Sequence, residues 1–389
     1  MTTAHDDSPA VPTPQDRRVR STRADFAFDA VMADRLYSTT HQVFGWRHWW
    51  MTRTYERLGP FAATWSALCT LASLPGRAGV RDVLPLLLGG LPAYHRDGPS
   101  VLVGRGAAAF ESTVVPPLGR GGDVIYVDNA ELGLALARHH ELCGGDVALP
   151  LAERLFQLLV TGWSADGTWA LPGGIRSTPG HAGTARRTTT NGRVASLGAL
   201  LYRCTGDART LEWALRIYRW TRSALLRDDG LYAEHIDPVG TVVTDPWPDA
   251  QGVMIGAGVL LGQATGDAAL LADARATAAA AAGRLGLDEL LSNTPARNAV
   301  YFRNLFSLLR VDDVRPGPLP APQPSPDDVG VPPAATLAAW SLAAAYDDLL
   351  WDERDRRSGL FPGPGSPLSR MGALLAIDAL LAGAPPPLA

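Results

Sequence analysis

The chain reads as an all-α protein of stacked helical hairpins, and two observations predict this. Cys143-Gly144-Gly145-Asp146, Cys204-Thr205-Gly206-Asp207 and Ala264-Thr265-Gly266-Asp267 recur 61 and 60 residues apart. Each follows an apolar run of helical spacing and precedes an amphipathic one. The glycine supplies the left-handed conformation that ends the first helix, and the aspartate accepts hydrogen bonds from the free N–H groups of the next. One hairpin cannot bury its own apolar face, so an evenly spaced series implies neighbours stacked side by side. The second observation is the number of helical segments. Apolar spacing marks twelve, near 30–50, 58–73, 79–93, 128–143, 149–162, 190–204, 208–226, 249–264, 268–284, 297–309, 334–352 and 368–382. Twelve helices taken as six pairs are what an (α/α)6 barrel requires.

The elements differ as a barrel's layers should. Gln251 to Leu261 is apolar with glycines at 252, 256 and 258, which suits an inner helix in close contact on all sides. The run from Arg209 to Arg227 carries Glu212, Arg216, Arg219 and Arg222 on one face, as an outer helix should. A Pro-rich stretch at 315–333 is expected to be a long surface loop before the last helices. The expected organisation is a disordered tail over 1–24, one barrel domain over 25–383, and a short C-terminal tail over 384–389.

Composition narrows the function. The 389 residues are 46% hydrophobic and 19% charged, ample for a large core. A net charge of −4 offers no basic field for nucleic acid or anionic lipid. Cys69, Cys143 and Cys204 are odd in number and lie near the ends of apolar runs, so buried free thiols are expected. The first residues carry no apolar signal core, and no run reaches the roughly 18 apolar residues of a membrane span. A cytoplasmic protein without a cofactor is expected. Gly104-Arg105-Gly106 lacks the strand–helix context of a dinucleotide loop. His139-His140-Glu141 lacks the i, i+4 spacing of a helical metal site. The Trp46, Trp49, Trp50 cluster is at helical spacing and reads as core.

Chemistry concentrates in Gly121-Gly122-Asp123-Val124-Ile125-Tyr126-Val127-Asp128-Asn129-Ala130-Glu131, a glycine-rich loop running into a helix that opens near Asp128. This segment resembles the Tyr-Asp-Asp-Asn-Ala-Trp signature of glycoside hydrolase family 76, the α-1,6-mannanase type. Further along, Trp163 with Gly173-Gly174-Ile175, Thr190-Asn191-Gly192, Leu201-Tyr202-Arg203-Cys204-Thr205-Gly206-Asp207, Asp229-Gly230-Leu231, Gln251-Gly252-Val253 and Arg303-Asn304-Leu305 are similar to that family's motifs in the same order. The resemblance covers about 55–310 and more loosely reaches 382. It implies a six-hairpin glycosidase fold and an activity on mannan or a related glycoside, with two adjacent aspartates as the catalytic pair.

The departures fall where that chemistry should be. Val127 stands at the first aspartate, Glu131 at the tryptophan, and Asp249-Ala250 at the Tyr-Asn before Gln251. Retaining glycosidases need two carboxyls ~5 Å apart, and inverting ones set them ~6.5–9.5 Å apart to admit water. By resemblance Asp128 keeps the acid/base position. Glu131, three residues on, shares its helix face, and two close carboxyls raise one pKa. On residue chemistry alone, Asp128 can equally cap the helix and Glu131 answer its dipole. Tyr126, Asn129, Trp163, Asn191, Glu234, His235, Trp247, Asp249 and Gln251 are the expected substrate-binding residues, with Trp169 a further stacking candidate. Each has a bland counterpart: hydrophobic plugs for the aromatics, helix caps for Asp249 and Gln251. A glycosidase with Asp128 as general acid/base is expected. A catalytically inactive or repurposed relative that binds a glycan, a small molecule or a partner protein in the old cleft is the alternative.

Overall fold

The computed structural model describes residues 13–33, 37–46, 54–102, 107–165, 169–179, 184–313, 334–353 and 366–383. Helices α1 (Pro14–Met32), α2 (Leu58–Ala72), α3 (Ala78–Gly90), α4 (Tyr126–Cys143), α5 (Ala148–Val160), α6 (Thr188–Thr205) and α7 (Ala208–Leu225) lead to α8 (Pro248–Thr265) and α9 (Ala268–Arg284). A short α10 (Leu287–Leu291), then α11 (Pro295–Asp313), α12 (Ala334–Asp352) and α13 (Pro367–Ala382), complete the series. Contacts run α2–α4–α6–α8–α11–α13 and back to α2, a closed inner ring. Outside it, α3, α5, α7, α9 and α12 each pack on the inner helix that precedes them. The molecule is an (α/α)6 barrel.

The ring closes in a way the sequence conceals. The outer partner of α13 is α1, from the opposite end of the chain. Helix α1 opens on Thr13, whose hydroxyl accepts from Asp16 N while the Asp16 carboxylate accepts from Thr13 N, a reciprocal cap. It buries Arg20, Ala24, Ala27 and Val31 along one stripe. Residues 14–24, expected to be tail, therefore belong to this helix. Among the described residues of 30–50 the expected helix is not found: α1 ends at Met32, and β1 (Tyr37–Ser38) and β2 (Val43–Trp46) pair with β3 (Thr54–Tyr55) in a small antiparallel sheet. The side chains of Trp46, Trp49 and Trp50, the loop at 104–106, the loop at 315–333 and the tail at 384–389 lie outside the described residues.

Layer chemistry follows burial. In α8 nearly every residue from Pro248 to Gly262 is buried, whereas α7 buries Ala214, Ile217, Tyr218, Thr221 and Leu225 and exposes Glu212, Arg216 and Arg219. Gly252 shows why inner helices need small residues: a Cβ there would meet the Tyr301 Cα of α11 at 2.7 Å. The repeated turns behave as their residues dictate in two copies of three. Gly206 and Gly266 end α6 and α8 in left-handed conformation, both at φ 71°, and Asp207 and Asp267 cap α7 and α9. In the copy before α5, Val147 occupies the cap position and Asp146 caps nothing. Among the described residues no helix is long and apolar enough to cross a membrane.

Candidate active site

The inner helices open with their N-termini around one cavity of about 400 Å³. Gly59, Asp128, Thr189, Asp249, Arg297 and Ser369 line it, each among the first three residues of α2, α4, α6, α8, α11 and α13 respectively. Val127, Glu131, Arg187, Arg193 and Arg303 line it as well.

Helix α4 begins at Tyr126, two residues before the expected start, so Asp128 is its third residue and makes no cap; Ile125 holds that position. Asp128 instead faces the cavity, fitted against Gly59, where a Cβ would come within 2.7 Å of Oδ1. Burial pushes its pKa up to about 6, against the pull of Arg57 and Arg193 and with a smaller push from Glu131. The expectation of a raised pKa thus rests mainly on desolvation, with the neighbouring carboxylate a lesser cause.

Glu131 has the opposite environment. It is buried, and its Oε1 accepts from Ser66 Oγ of α2 at 2.9 Å and from Arg303 Nη1 of α11 at 2.8 Å. Its Oε2 accepts from Arg193 Nε of α6 at 2.8 Å and from Arg303 Nη2 at 3.3 Å. Burial would raise its pKa, but Arg303 and Arg193 more than offset that and hold the carboxyl far below its ordinary range. A carboxylate so neutralised is a poor proton donor and a weak nucleophile. It joins four inner helices at the cavity floor. Val127, at the position of the resemblance's first aspartate, presents its apolar side chain to the cavity.

Several expected site residues do not line the cavity, and three share a reason. The Asn129 amide accepts from Phe110 N and donates to the oxygens of Phe110 and Ile125, each at 2.9 Å. Asn191 does the same with Ile175 N, Ile175 O and Arg187 O, at 2.7, 3.1 and 2.9 Å. Gln251 repeats the pattern with Tyr232 N, Tyr232 O and Trp247 O, at 2.8, 2.9 and 3.3 Å. Each amide is the fourth residue of its helix and clips the incoming loop to it. Buried backbone groups demand partners, and these side chains supply them. They are loop clamps, where sugar contacts were expected.

The aromatics are likewise committed. Tyr126 is buried against Gly162, with its hydroxyl 3.5 Å from Thr161 Oγ1. Trp163 packs edge-on against Trp213 and Trp220 beneath the Arg216 guanidinium, in the outer layer. Trp169 lies under Arg186. Trp247 precedes α8 and carries the Arg297 guanidinium 4.1 Å above its ring. Asp249 does line the cavity, 3.8 Å from Arg297 Nε. Its Oδ1 is buried without a hydrogen-bond partner among the described residues.

Glu234 and His235 stand behind the rim. Strands β4 (Arg186–Arg187), β5 (His235–Ile236) and β6 (Val242–Val243) form a second antiparallel sheet that delivers Arg187 to the cavity. Glu234 ion-pairs with Arg187, and His235 Nδ1 lies 3.6 Å from the same carboxylate. The four cavity arginines were missed as site residues. For Arg193 and Arg303 a signal existed, since each is a charge within an otherwise buried inner helix and requires a partner there.

The sequence model of Glycosyl hydrolase family 76 matches residues 121–307. No curated protein sequence matches the chain. Among solved structures, a family 76 mannosidase of Bacteroides thetaiotaomicron superposes with a TM-score of 0.72 at 17% identity, covering 94% of this chain and 98% of its own. An inactive α-1,6-mannanase variant of Salegentibacter sp., with two adjacent aspartates replaced and α-1,6-linked mannotetraose bound, gives 0.71 at 18% identity, over 93% and 98% of the two chains. Dfg5 of Chaetomium thermophilum, in complex with glucosamine, gives 0.63 at 14% identity, over 97% and 93%. The matched segment, just under half of the chain, contains Asp128, Glu131, Arg193, Asp249 and Arg303, and over it this chain is similar to glycosyl hydrolase family 76.

Proposed function

We propose that the protein hydrolyses an α-mannoside or related glycoside, with Asp128 as general acid and water as the attacking group. The observation that carries this reading is a desolvated carboxyl with a pKa of about 6, facing a cavity that can hold a sugar. Near neutral pH such a group holds its proton in a useful fraction of molecules and releases it to a leaving oxygen. With Val127 at the neighbouring position, no adjacent carboxylate is available to form a glycosyl-enzyme intermediate. Glu131, expected as a partner, is engaged by two arginines. Asp249 is the remaining carboxylate on the cavity wall, and its Oδ1, near Arg297 but accepting no hydrogen bond from a described residue, suits a base that activates water. Proton donation by Asp128 and water attack assisted by Asp249 describe an inverting hydrolysis.

The test is turnover of activated aryl α-mannosides, with the first-formed product anomer read by NMR. The β-anomer and loss of turnover in Asp128→Asn are expected. Retention of configuration, or a rate that survives Asp128→Asn, would overturn the assignment. The apolar Val127 favours a second reading, an inactive relative that only binds glycans. Sugar binding with no turnover of any glycoside would establish that one instead.

A further inference from the structure

The cavity carries more positive charge than its carboxylates answer. Arg187, Arg193, Arg297 and Arg303 line it. Arg187 is matched by Glu234. Arg193 and Arg303 share the single carboxylate of Glu131, so this trio keeps a net positive charge with side chains only 10%, 13% and 5% exposed. Arg303 Nε is buried and has no hydrogen-bond partner among the described residues. Below pH 6 Asp128 is mostly protonated and adds no negative charge to offset this. The N-termini of six inner helices converge on the same space, each with free N–H groups and a partial positive charge of about half a unit.

Arg297 is the member of the set whose donors remain free. Its guanidinium lies against the Trp247 ring at 4.1 Å, its one carboxylate neighbour, Asp249, is 3.8 Å from Nε, and it donates no hydrogen bond to a described residue. Stacking fixes the guanidinium plane while leaving its N–H edge for a ligand, and a forked donor of that kind suits a carboxylate or phosphate.

We propose that the substrate of this cavity is an anionic glycoside, one bearing a phosphate or carboxylate group that Arg297 receives at the rim. The inference deepens the glycosidase reading and rests on it for the sugar, though not for the charge. With Glu131, Glu234 and Asp249 set against four arginines, an anion at the rim supplies the one counter-charge still missing, in a site where partial desolvation strengthens the attraction relative to open water.

Binding of mannose 6-phosphate, glucuronate, mannose and α-1,6-mannotriose to the full chain, by calorimetry at low salt about one pH unit below the Asp128 pKa of about 6, tests it. At least one anionic sugar is expected to bind tenfold or more tightly than both neutral ones. The phosphate and carboxylate arms identify which anion is preferred. Arg297→Gln should remove most of that preference and Arg297→Lys should retain part of it, with folding of both checked by thermal melting. Equal or tighter binding of the neutral sugars overturns the proposal, as does no anion binding below 10 mM or a preference unchanged in Arg297→Gln. The same titration in Asp128→Asn separates the two readings. An anion preference that persists there, with no glycoside hydrolysed by the wild type, leaves this inference standing and removes the hydrolytic one. Turnover of neutral mannosides without an anion preference does the reverse.

Discussion

Glu131 and Arg193 lie 62 residues apart in sequence, one hairpin repeat on, and are joined Oε2 to Nε at 2.8 Å at the floor of the cavity. With Arg303 and Ser66 they tie α2, α4, α6 and α11 together through one carboxylate. Removing that carboxylate strands two buried guanidiniums, so Glu131→Ala should lose about 3–5 kcal/mol of stability, the usual cost of breaking a buried pair from one side. Urea denaturation measures it, and a loss below about 1 kcal/mol, the scale of an exposed ion pair, would refute the linkage.

The same carboxyl sets a pH dependence. Arginine pairing lowers its folded pKa below the ordinary 4.5. A depressed folded pKa contributes stability that is present above the unfolded value and is lost as pH falls below it. Between neutrality and pH 3 the wild type should therefore lose more stability than Glu131→Gln does, read from melting temperatures along the series. Parallel curves would count against the pairing.

Activity should follow Asp128. As a general acid with a pKa of about 6, it works in its protonated form. The rate should be level below that value and fall about tenfold per pH unit above it. Asp128→Asn should cost roughly 10²–10⁴-fold in kcat while leaving sugar binding in place. A rate that rises through pH 6 to 8 would assign Asp128 the role of base.

Val127→Asp restores two adjacent carboxyls at the cavity wall. Val127 is partly exposed there, so the new carboxyl meets solvent and the fold should tolerate it. A nucleophile beside an acid/base residue allows a covalent intermediate, and the product anomer should shift from inverted toward retained. An inverted product throughout would mean that position 127 cannot reach the anomeric carbon.

Asn191→Ala should destabilise the barrel by about 2–3 kcal/mol, because the buried N–H and C=O of Ile175 lose their partner. Thermal melting checks this. A variant of unchanged stability that binds sugar less well would restore Asn191 to the role its position suggested.

The hairpin series was legible because turn chemistry is local. A glycine that ends one helix and an aspartate that caps the next reveal themselves within four residues, and α6 to α9 fall within two residues of their expected bounds. Residues 37–46 were misread because strands of two to four residues form by tertiary pairing and carry no period of their own. Asn129, Asn191 and Gln251 were taken for ligand contacts because an amide in the first turn of a helix looks the same whether it meets a sugar or a peptide. Their separations of 62 and 60 residues held the answer, since a contact that repeats with the scaffold belongs to the scaffold. The motif around Asp128 pointed to the cavity that it lines, but the pairing that immobilises Glu131 needed Arg193 and Arg303, which only the closed ring brings near.

The pairing of α1 with α13 sets the order in which the molecule can assemble. Beside it, Arg20 and Arg23 of α1 pair with Asp347 of α12, more than 320 residues away, and Trp351 Nε1 of α12 donates to Asp378 of α13. Local hairpins such as α6–α7 and α8–α9 can form as soon as they leave the ribosome, but the ring has two raw edges until the final helix arrives. Contacts of such long sequence separation add loop-closure entropy and slow folding. Until closure, the Glu131–Arg193 pair faces an open cleft, and the cavity that desolvates Asp128 does not yet exist. Catalytic competence should therefore be the last property this chain acquires, and shortening it at either end should abolish activity before it abolishes helicity.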